Sequence, residues 1–99
     1  MARHDVYKNP KGEGLVLDVQ NDILDMIALR VVVPLLPSDK YQKIANRLNP
    51  EFKIGDRHYV MTPQLIAAVP AAALGAPVAN LKQHHNEITQ ALDMLFHGF

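Results

Sequence analysis

The run from Leu29 to Leu36, apolar except for Arg30, constrains the fold more than any other part of the sequence. A valine-rich apolar run is typical of a β-strand that is covered on both faces, whereas a half-exposed strand alternates polar and apolar side chains. Pro34 predicts either the end of this strand or an irregularity in it, because proline has no backbone N–H for a neighbouring strand. We therefore expect Leu29 to Leu36 to form the central strand of a sheet.

A β-hairpin is predicted on the N-terminal side of this run. Residues His4 to Lys8 and Leu15 to Gln20 are β-prone, and the segment 9–14 between them contains the proline and glycines that favour a turn. In the second of these runs, positions 15, 17 and 19 are aliphatic and alternate with 16, 18 and 20, which predicts a strand with one buried face. The residues 21–25 that follow are predicted to form a loop.

A second hairpin is predicted after the central strand. Phe52 to Ile54 and His58 to Met61 flank Gly55-Asp56, a dipeptide that favours a tight turn. Between the central strand and this hairpin, residues 39–48 fit a short helical turn and a loop equally well. The alanine-rich segment 63–77 is also undecided on propensity alone, since Gln64 to Ala68 has helical composition.

The C-terminal segment carries the clearest helical pattern. Apolar residues recur at steps of three and four from Leu81 to Phe96, so one stripe of an amphipathic helix faces a core. Asn80 is the predicted N-cap, and Gly98 stands where a helix ends with a left-handed residue. Strands followed by one terminal helix indicate an α+β or barrel-like β fold, and the 99 residues suffice for one domain, 1–99.

Composition excludes several classes of protein. Ten basic and ten acidic residues give a net charge of zero, which disfavours direct DNA binding. The chain has no cysteine, which fits a reducing cytoplasm. Neither a signal peptide nor a membrane span is expected, because an acidic residue comes early and no long apolar run follows it.

The sequence contains no pattern that is typical of an enzyme or of a metal site. The five histidines lack the spacing of metal ligands, and serine occurs once, at Ser38, without a local base. Asp18, Asp22 and Asp25 are interpreted as structural carboxylates that accept backbone hydrogen bonds. We expect no catalytic residue, no metal and no cofactor.

Several apolar residues have two possible fates. Ile23 and Leu24 either fold back onto the core or are exposed for binding, and Phe96 is either the last core residue of the helix or part of a binding surface. Phe99 is either a stray hydrophobic residue or a second anchor, and exposed aromatic side chains beside a rigid helix end make good interface anchors.

Over essentially its whole length the sequence resembles the CcdB family of toxins. The resemblance begins with Leu17-Asp18-Val19-Gln20-Asn21-Asp22-Ile23-Leu24-Asp25 and Arg30-Val31-Val32-Val33-Pro34-Leu35. It continues through Ile54-Gly55-Asp56, Met61-Thr62, Ala68-Val69-Pro70 and Leu74-Gly75 to Leu95-Phe96-His97-Gly98-Phe99, in the order and spacing of the family.

The resemblance implies a mostly β (α+β) fold, in which SH3-like, barrel-related antiparallel sheets carry a single C-terminal α-helix. It places a strand at Gln64 to Ala73. It also implies a homodimeric toxin of a plasmid-addiction, type II toxin–antitoxin system, which binds the dimerisation domain of the A subunit of DNA gyrase and traps the gyrase–DNA cleavage complex. A CcdA-like antitoxin is the other implied partner.

The family's gyrase contacts correspond here to a loop and to the helix end, at Ile23, Leu24, Asp93, Phe96, His97, Gly98 and Phe99. This chain departs from the family there: His97-Gly98-Phe99 stands where the best-known member has Trp-Gly-Ile, and Asp93 replaces an asparagine. In the family the indole is proposed to stack on an arginine of gyrase. An imidazole offers that arginine less area, so we expect the binding free energy of this contact to be weaker by about 1 to 3 kcal/mol. The alternative function is therefore an antitoxin-binding regulatory or interaction module of the same fold that no longer poisons gyrase.

Overall fold

The computed structural model describes residues 2–24 and 26–98, so the prediction for Phe99 and the interpretation of Asp25 lie outside the described residues. Short 3₁₀ turns occupy Asp22–Leu24, Pro63–Leu65, Ala71–Ala73 and Lys82–His84. The strands and the helix are β1 (Asp5–Lys8), β2 (Leu15–Asp18), β3 (Leu29–Pro37), β4 (Glu51–Ile54), β5 (Arg57–Met61), β6 (Ala67–Pro70), β7 (Ala79–Asn80) and α1 (His85–His97).

The seven strands form one antiparallel sheet that curls into a nearly closed barrel. Its order is β4-β5-β3-β2-β1-β7, and β6 adds to β3 beside β5. Strand β3 is the centre, because it pairs with β2 along one edge and with β6 and then β5 along the other. The predicted fold class, mostly β with a barrel-related sheet and one C-terminal helix, is confirmed.

Pro34 is an irregularity in β3 and not its end. Residues 29–32 of β3 pair with β6, and residues 35–37 pair with β5. Pro34 lies between these two sets of partners, where a missing N–H disturbs neither ladder. Its carbonyl oxygen accepts hydrogen bonds from the backbone N and from the Oγ1 of Thr62, at 3.0 and 2.9 Å.

Strand β2 is buried on both faces, so the prediction of a single buried face was wrong. Leu17 belongs to the main core, where the helix side chains Ile88 and Ala91 also pack. Val16 points to the opposite face and packs in a second cluster that Leu74 helps to cover. The chain that follows β6 therefore supplies a cover for the outer face, which the alternation within β2 alone could not indicate.

An ion pair between Asp18 and Arg30 lies inside this second layer. Both side chains are fully buried, and Nε and Nη2 of Arg30 donate to Oδ2 of Asp18 at 2.9 and 2.6 Å. Burial raises the pKa of the Asp18 carboxyl, while the N–H donors of Arg30 and Gln20 oppose that rise. Asp18 therefore has the structural role that the sequence predicted, and removal of one partner would leave a buried charge unpaired.

The two undecided segments have different outcomes. Residues 39–48 form a loop, which the buried Asn49 side chain organises by accepting from the backbone N of Ile44 at 2.8 Å. The strand expected at Gln64 to Ala73 exists only as β6, with a 3₁₀ turn before it and another after it. The strand prediction was therefore right in type and too long at both ends, because only four residues reach β3.

The predicted helix is confirmed as α1, but its start differs from the prediction. A 3₁₀ turn precedes it, and Asn80 Oδ1 accepts from the backbone N of Lys82 at 2.9 Å instead of capping α1 directly. At the other end, Gly98 adopts the predicted left-handed conformation, with φ of 78°. Among the described residues, no helix is long and apolar enough to cross a membrane.

A contact between two histidines fastens the start of the chain to the start of α1. Nε2 of the buried His4 lies 3.1 Å from Nδ1 of His85, with the rings edge to face. Only one proton fits between the two nitrogens, so the contact is lost when both rings are charged. Burial, the Arg3 cation and His85 together lower the pKa of His4, and a backbone hydrogen bond at Arg3 and the Asp22 carboxylate oppose them.

We expect the free energy of unfolding to fall as the pH drops below about 6.5. The pKa of His4 is lower in the folded chain than in the unfolded chain, so the unfolded state takes up a proton first and acid favours it. This one group contributes a slope of at most about 1.4 kcal/mol per pH unit. Urea unfolding at several pH values measures the slope.

The matched variants are His4→Asn, in which asparagine tolerates the positive φ of that position, and His58→Asn, which removes an exposed histidine elsewhere. The first should flatten the slope and the second should leave it unchanged. Equal slopes in wild type and His4→Asn would contradict the prediction.

Candidate functional site

The 3₁₀ turn Asp22–Leu24 presents its aliphatic side chains to solvent. Ile23 is 84% exposed and Leu24 is 46% exposed, so of the two fates left open by the sequence the structure shows exposure. Backbone and side-chain hydrogen bonds hold the turn. Asn21 Oδ1 accepts from the N of Ile23 at 3.0 Å, and Asp22 Oδ1 accepts from the N of Arg3 at 2.7 Å.

The last turn of α1 presents a second exposed apolar side chain. Phe96 is 64% exposed, so the interpretation of Phe96 as the last core residue was wrong. The core contacts of the helix come from Ile88 and Ala91, one to two turns earlier. Asp93 and His97 are exposed on the same final turns, and the N–H of Gly98 donates to the carbonyl of Met94 at 3.0 Å.

An apolar groove of about 450 Å³ runs between this turn and this helix end. Two of its lining residues, Gln20 and Asn21, are polar, and the other nine are apolar. The apolar lining comes from the end of β2, the turn, the start of β3, the segment around β6, and α1: Val19, Leu24, Ile27, Leu29, Val31, Ile66, Ala68, Leu92 and Phe96.

The groove brings together two of the residues that the sequence nominated, Leu24 and Phe96. Ile23, Asp93, His97 and Gly98 are exposed and do not line it, and each lies within two residues of a lining residue in the sequence; these four residues are called the rim. Of the seven residues predicted from the sequence, two therefore line the concave apolar surface and four lie outside it. Phe99 lies outside the described residues and belongs to neither part here.

Sequence reasoning missed the contribution of the residues just before and at the start of β3. Met26 is 100% exposed, and Ile27 and Leu29 are about half exposed. Leu29 was expected to be covered as part of a central strand. The only signal was the unbroken apolar stretch 26–29, which extends further than the buried part of β3 requires.

The groove offers a concave shape and apolar area, which suit the binding of another apolar surface. Within residues 2–24 and 26–98, no three histidine or acidic side chains lie close enough together to hold a metal ion. Burying a large apolar side chain contributes about 1.5 to 3 kcal/mol, so the exposed Ile23, Leu24 and Phe96 have the character of interface anchors.

Comparison with known proteins places this arrangement in a family. A sequence model of the CcdB protein family matches residues 3–98 of the chain. The match therefore covers the sheet, the turn at residues 22–24 and the whole of α1.

The fold also occurs in solved mycobacterial structures. One is described as an endoribonuclease in complex with its cognate antitoxin from a mycobacterial species, with 22% identity, coverage of 97% of this chain and 94% of that chain, and a TM-score of 0.78. Another is the Mycobacterium tuberculosis toxin MazF-mt6, with 12% identity, 93% coverage of both chains and a TM-score of 0.66. At these identities the likeness establishes a shared fold.

Replacement of Gly98 should destabilise the helix end through backbone conformation alone. A Cβ at Gly98 would meet no atom within 4 Å, but its φ of 78° is unfavourable for other residues. We expect Gly98→Ala to lower the free energy of unfolding by about 1 kcal/mol. Gly12→Ala is the control, since Gly12 also has open space but no positive φ. Equal stabilities of the two variants in urea would contradict this account of the cap.

Proposed function

Because the chain belongs to the CcdB protein family, we propose that it is the toxin of a toxin–antitoxin system and binds the dimerisation domain of the A subunit of DNA gyrase in the cytoplasm. It acts by binding and breaks no bond itself; it traps gyrase on the DNA that gyrase has cleaved. The observation that carries the proposal is the exposure of Ile23 and Phe96 on hydrogen-bonded backbone beside one apolar groove.

The groove and its rim have different partners in this proposal. A second copy of the chain covers the groove, which makes a homodimer, and the rim residues Ile23, Asp93, His97 and Gly98 contact gyrase. Phe96, which lines the groove and is largely exposed, reaches both. In a two-fold symmetric dimer, the exposed Met26 and Ile27 of each copy would pack against the groove surface of the other copy. Each copy then uses the same surface, as an isologous interface requires.

A CcdA-like antitoxin is the remaining proposed partner. The mycobacterial structure with the same fold is described as bound to its cognate antitoxin, which supports an antitoxin partner for this fold. The same description names an endoribonuclease, and this alternative is tested by incubating the purified chain with RNA. The proposal requires the RNA to remain intact.

The dimer is tested by mass in solution. Met26→Glu combined with Ile27→Glu should convert a dimer of about twice 11.0 kDa to a monomer, because like charges on that surface would be buried without partners. Ile44→Glu is the matched control, since Ile44 is 70% exposed and does not line the groove. A monomeric wild type in sedimentation equilibrium, or a double variant that stays dimeric, would count against the interface.

Gyrase poisoning is tested by growth arrest on expression without antitoxin and by a gyrase cleavage assay with purified protein. Deletion of residues 97–99 should abolish both effects and preserve folding and antitoxin binding. Ile23→Ser should weaken both effects, whereas Ile44→Ser, at another exposed isoleucine, should not. Persistent killing by the truncated chain would refute the assignment.

The altered terminus favours one second candidate. His97 lies on the rim where the best-known member of the family has an indole, and Phe96 is exposed beside it. If the wild-type chain binds the antitoxin and neither arrests growth nor traps cleaved DNA, it is an antitoxin-binding regulatory or interaction module of the same fold.

A further inference from the structure

We infer that Gln20 is a positioning residue, whose side-chain amide holds the turn at residues 22–24 in the conformation that presents Ile23 and Leu24. The inference rests on the proposed function, because it concerns how the chain offers Ile23 to gyrase and Leu24 to the groove. Gln20 is buried and belongs to neither the turn nor a regular strand. Nothing in its sequence context distinguishes it from an ordinary polar residue at a strand end.

The amide of Gln20 bridges β3 and the turn. Its Oε1 accepts from the backbone N of Val31, and its Nε2 donates to the carbonyl oxygen of Leu24, each at 3.0 Å. The orientation of the amide is fixed by these partners, since a backbone N–H only donates and a carbonyl only accepts. A neutral side chain that donates at one end and accepts at the other satisfies both groups at once.

The side-chain hydrogen bonds of Gln20 continue the hydrogen bonding between β2 and β3 beyond the last paired residues. The backbone N of Val19 still donates to the carbonyl of Val31 at 3.1 Å, and the Gln20 side chain then supplies the acceptor for the N–H of the same residue. The chain can therefore leave the sheet without stranding a backbone group. The backbone N of Gln20 donates to Oδ1 of Asp18 at 3.0 Å. The position of Gln20 therefore depends on the buried Asp18–Arg30 ion pair.

Burial of its own side chains does not hold the turn. None of Asp22, Ile23 and Leu24 is buried, so the conformation depends on hydrogen bonds to residues outside the turn. The carbonyl of Leu24 also accepts from the backbone N of Ile27 at 3.1 Å, and the Arg3–Asp22 bond lies at the surface. The bond from Gln20 joins the end of the turn to a buried side chain. Segments with few buried contacts open locally at low cost unless such bonds restrain them.

Backbone ¹⁵N relaxation of the full-length protein tests the inference without reference to gyrase. In Gln20→Met, which removes both bonds, the order parameters of the Ile23 and Leu24 amides should fall from about 0.85 to below about 0.6. Those of α1 should stay unchanged. Gln90→Met is the matched control, because Gln90 is exposed on the surface of α1.

Gln20→Glu keeps the inference testable if Gln20→Met does not fold. An ionised glutamate accepts from Val31 but cannot donate to Leu24, whereas a protonated one regains the donor. The turn should therefore be mobile at pH 8 and recover order as the pH is lowered to 5, relative to wild type at each pH. A purely structural role for the side chain would not produce this rescue by acid.

Association with the A subunit of gyrase supplies the functional readout. We expect the affinity of Gln20→Met to fall about tenfold, since a turn that is ordered for a tenth of the time binds in proportion to that fraction. A folded Gln20→Met with rigid turn amides, or a Gln20→Glu turn that is equally ordered at both pH values, would overturn the inference. If wild type itself fails to bind gyrase, the proposed function falls, and the relaxation data still decide whether Gln20 positions the turn.

Discussion

The buried ion pair between Asp18 and Arg30 is the contact on which the rest of the architecture depends. Two charges inside a small core are tolerable only when each satisfies the other, so the pair fixes β2 against β3 in one register. A slip of one residue would turn every side chain of β2 to the opposite face and separate the two charges. Since β2 is buried on both faces, no alternative register leaves a polar face for Asp18.

The conformation of the turn at residues 22–24 depends on this ion pair. Asp18 anchors the backbone of Gln20, Gln20 holds the carbonyl of Leu24, and the turn that results forms one wall of the groove. The opposite wall is α1, whose position follows from the burial of Ile88 and Ala91 in the main core. Residues from opposite ends of the sequence therefore meet because two separate core layers, one on each face of the sheet, are both well packed.

The sequence predicted those elements whose signal is local. Periodicity identified both hairpins and α1, and Gly98 identified the helix end, because a left-handed cap needs glycine whatever surrounds it. The second buried face of β2 and the length of β6 could not be predicted in this way, since they depend on a cover and a pairing partner from elsewhere in the chain. The exposure of Met26 was beyond local reasoning for the same reason, because hydrophobicity favours burial. For Phe96 the sequence left burial and exposure both open, and the assembled fold shows exposure.

The solved structures of the same fold show why the function must be argued from the groove and its rim. Proteins described as endoribonucleases have this sheet and helix at TM-scores up to 0.78, and at 21 to 22% identity that likeness shows the fold and not the activity. In this chain the buried arginine of β3 is bound to Asp18, and the concave surface is lined mainly by aliphatic side chains. Such a surface attracts another apolar surface far more strongly than it attracts a polyanion. The chemistry of the groove therefore favours an apolar partner surface, and in the proposed function the rim residues determine which protein supplies it.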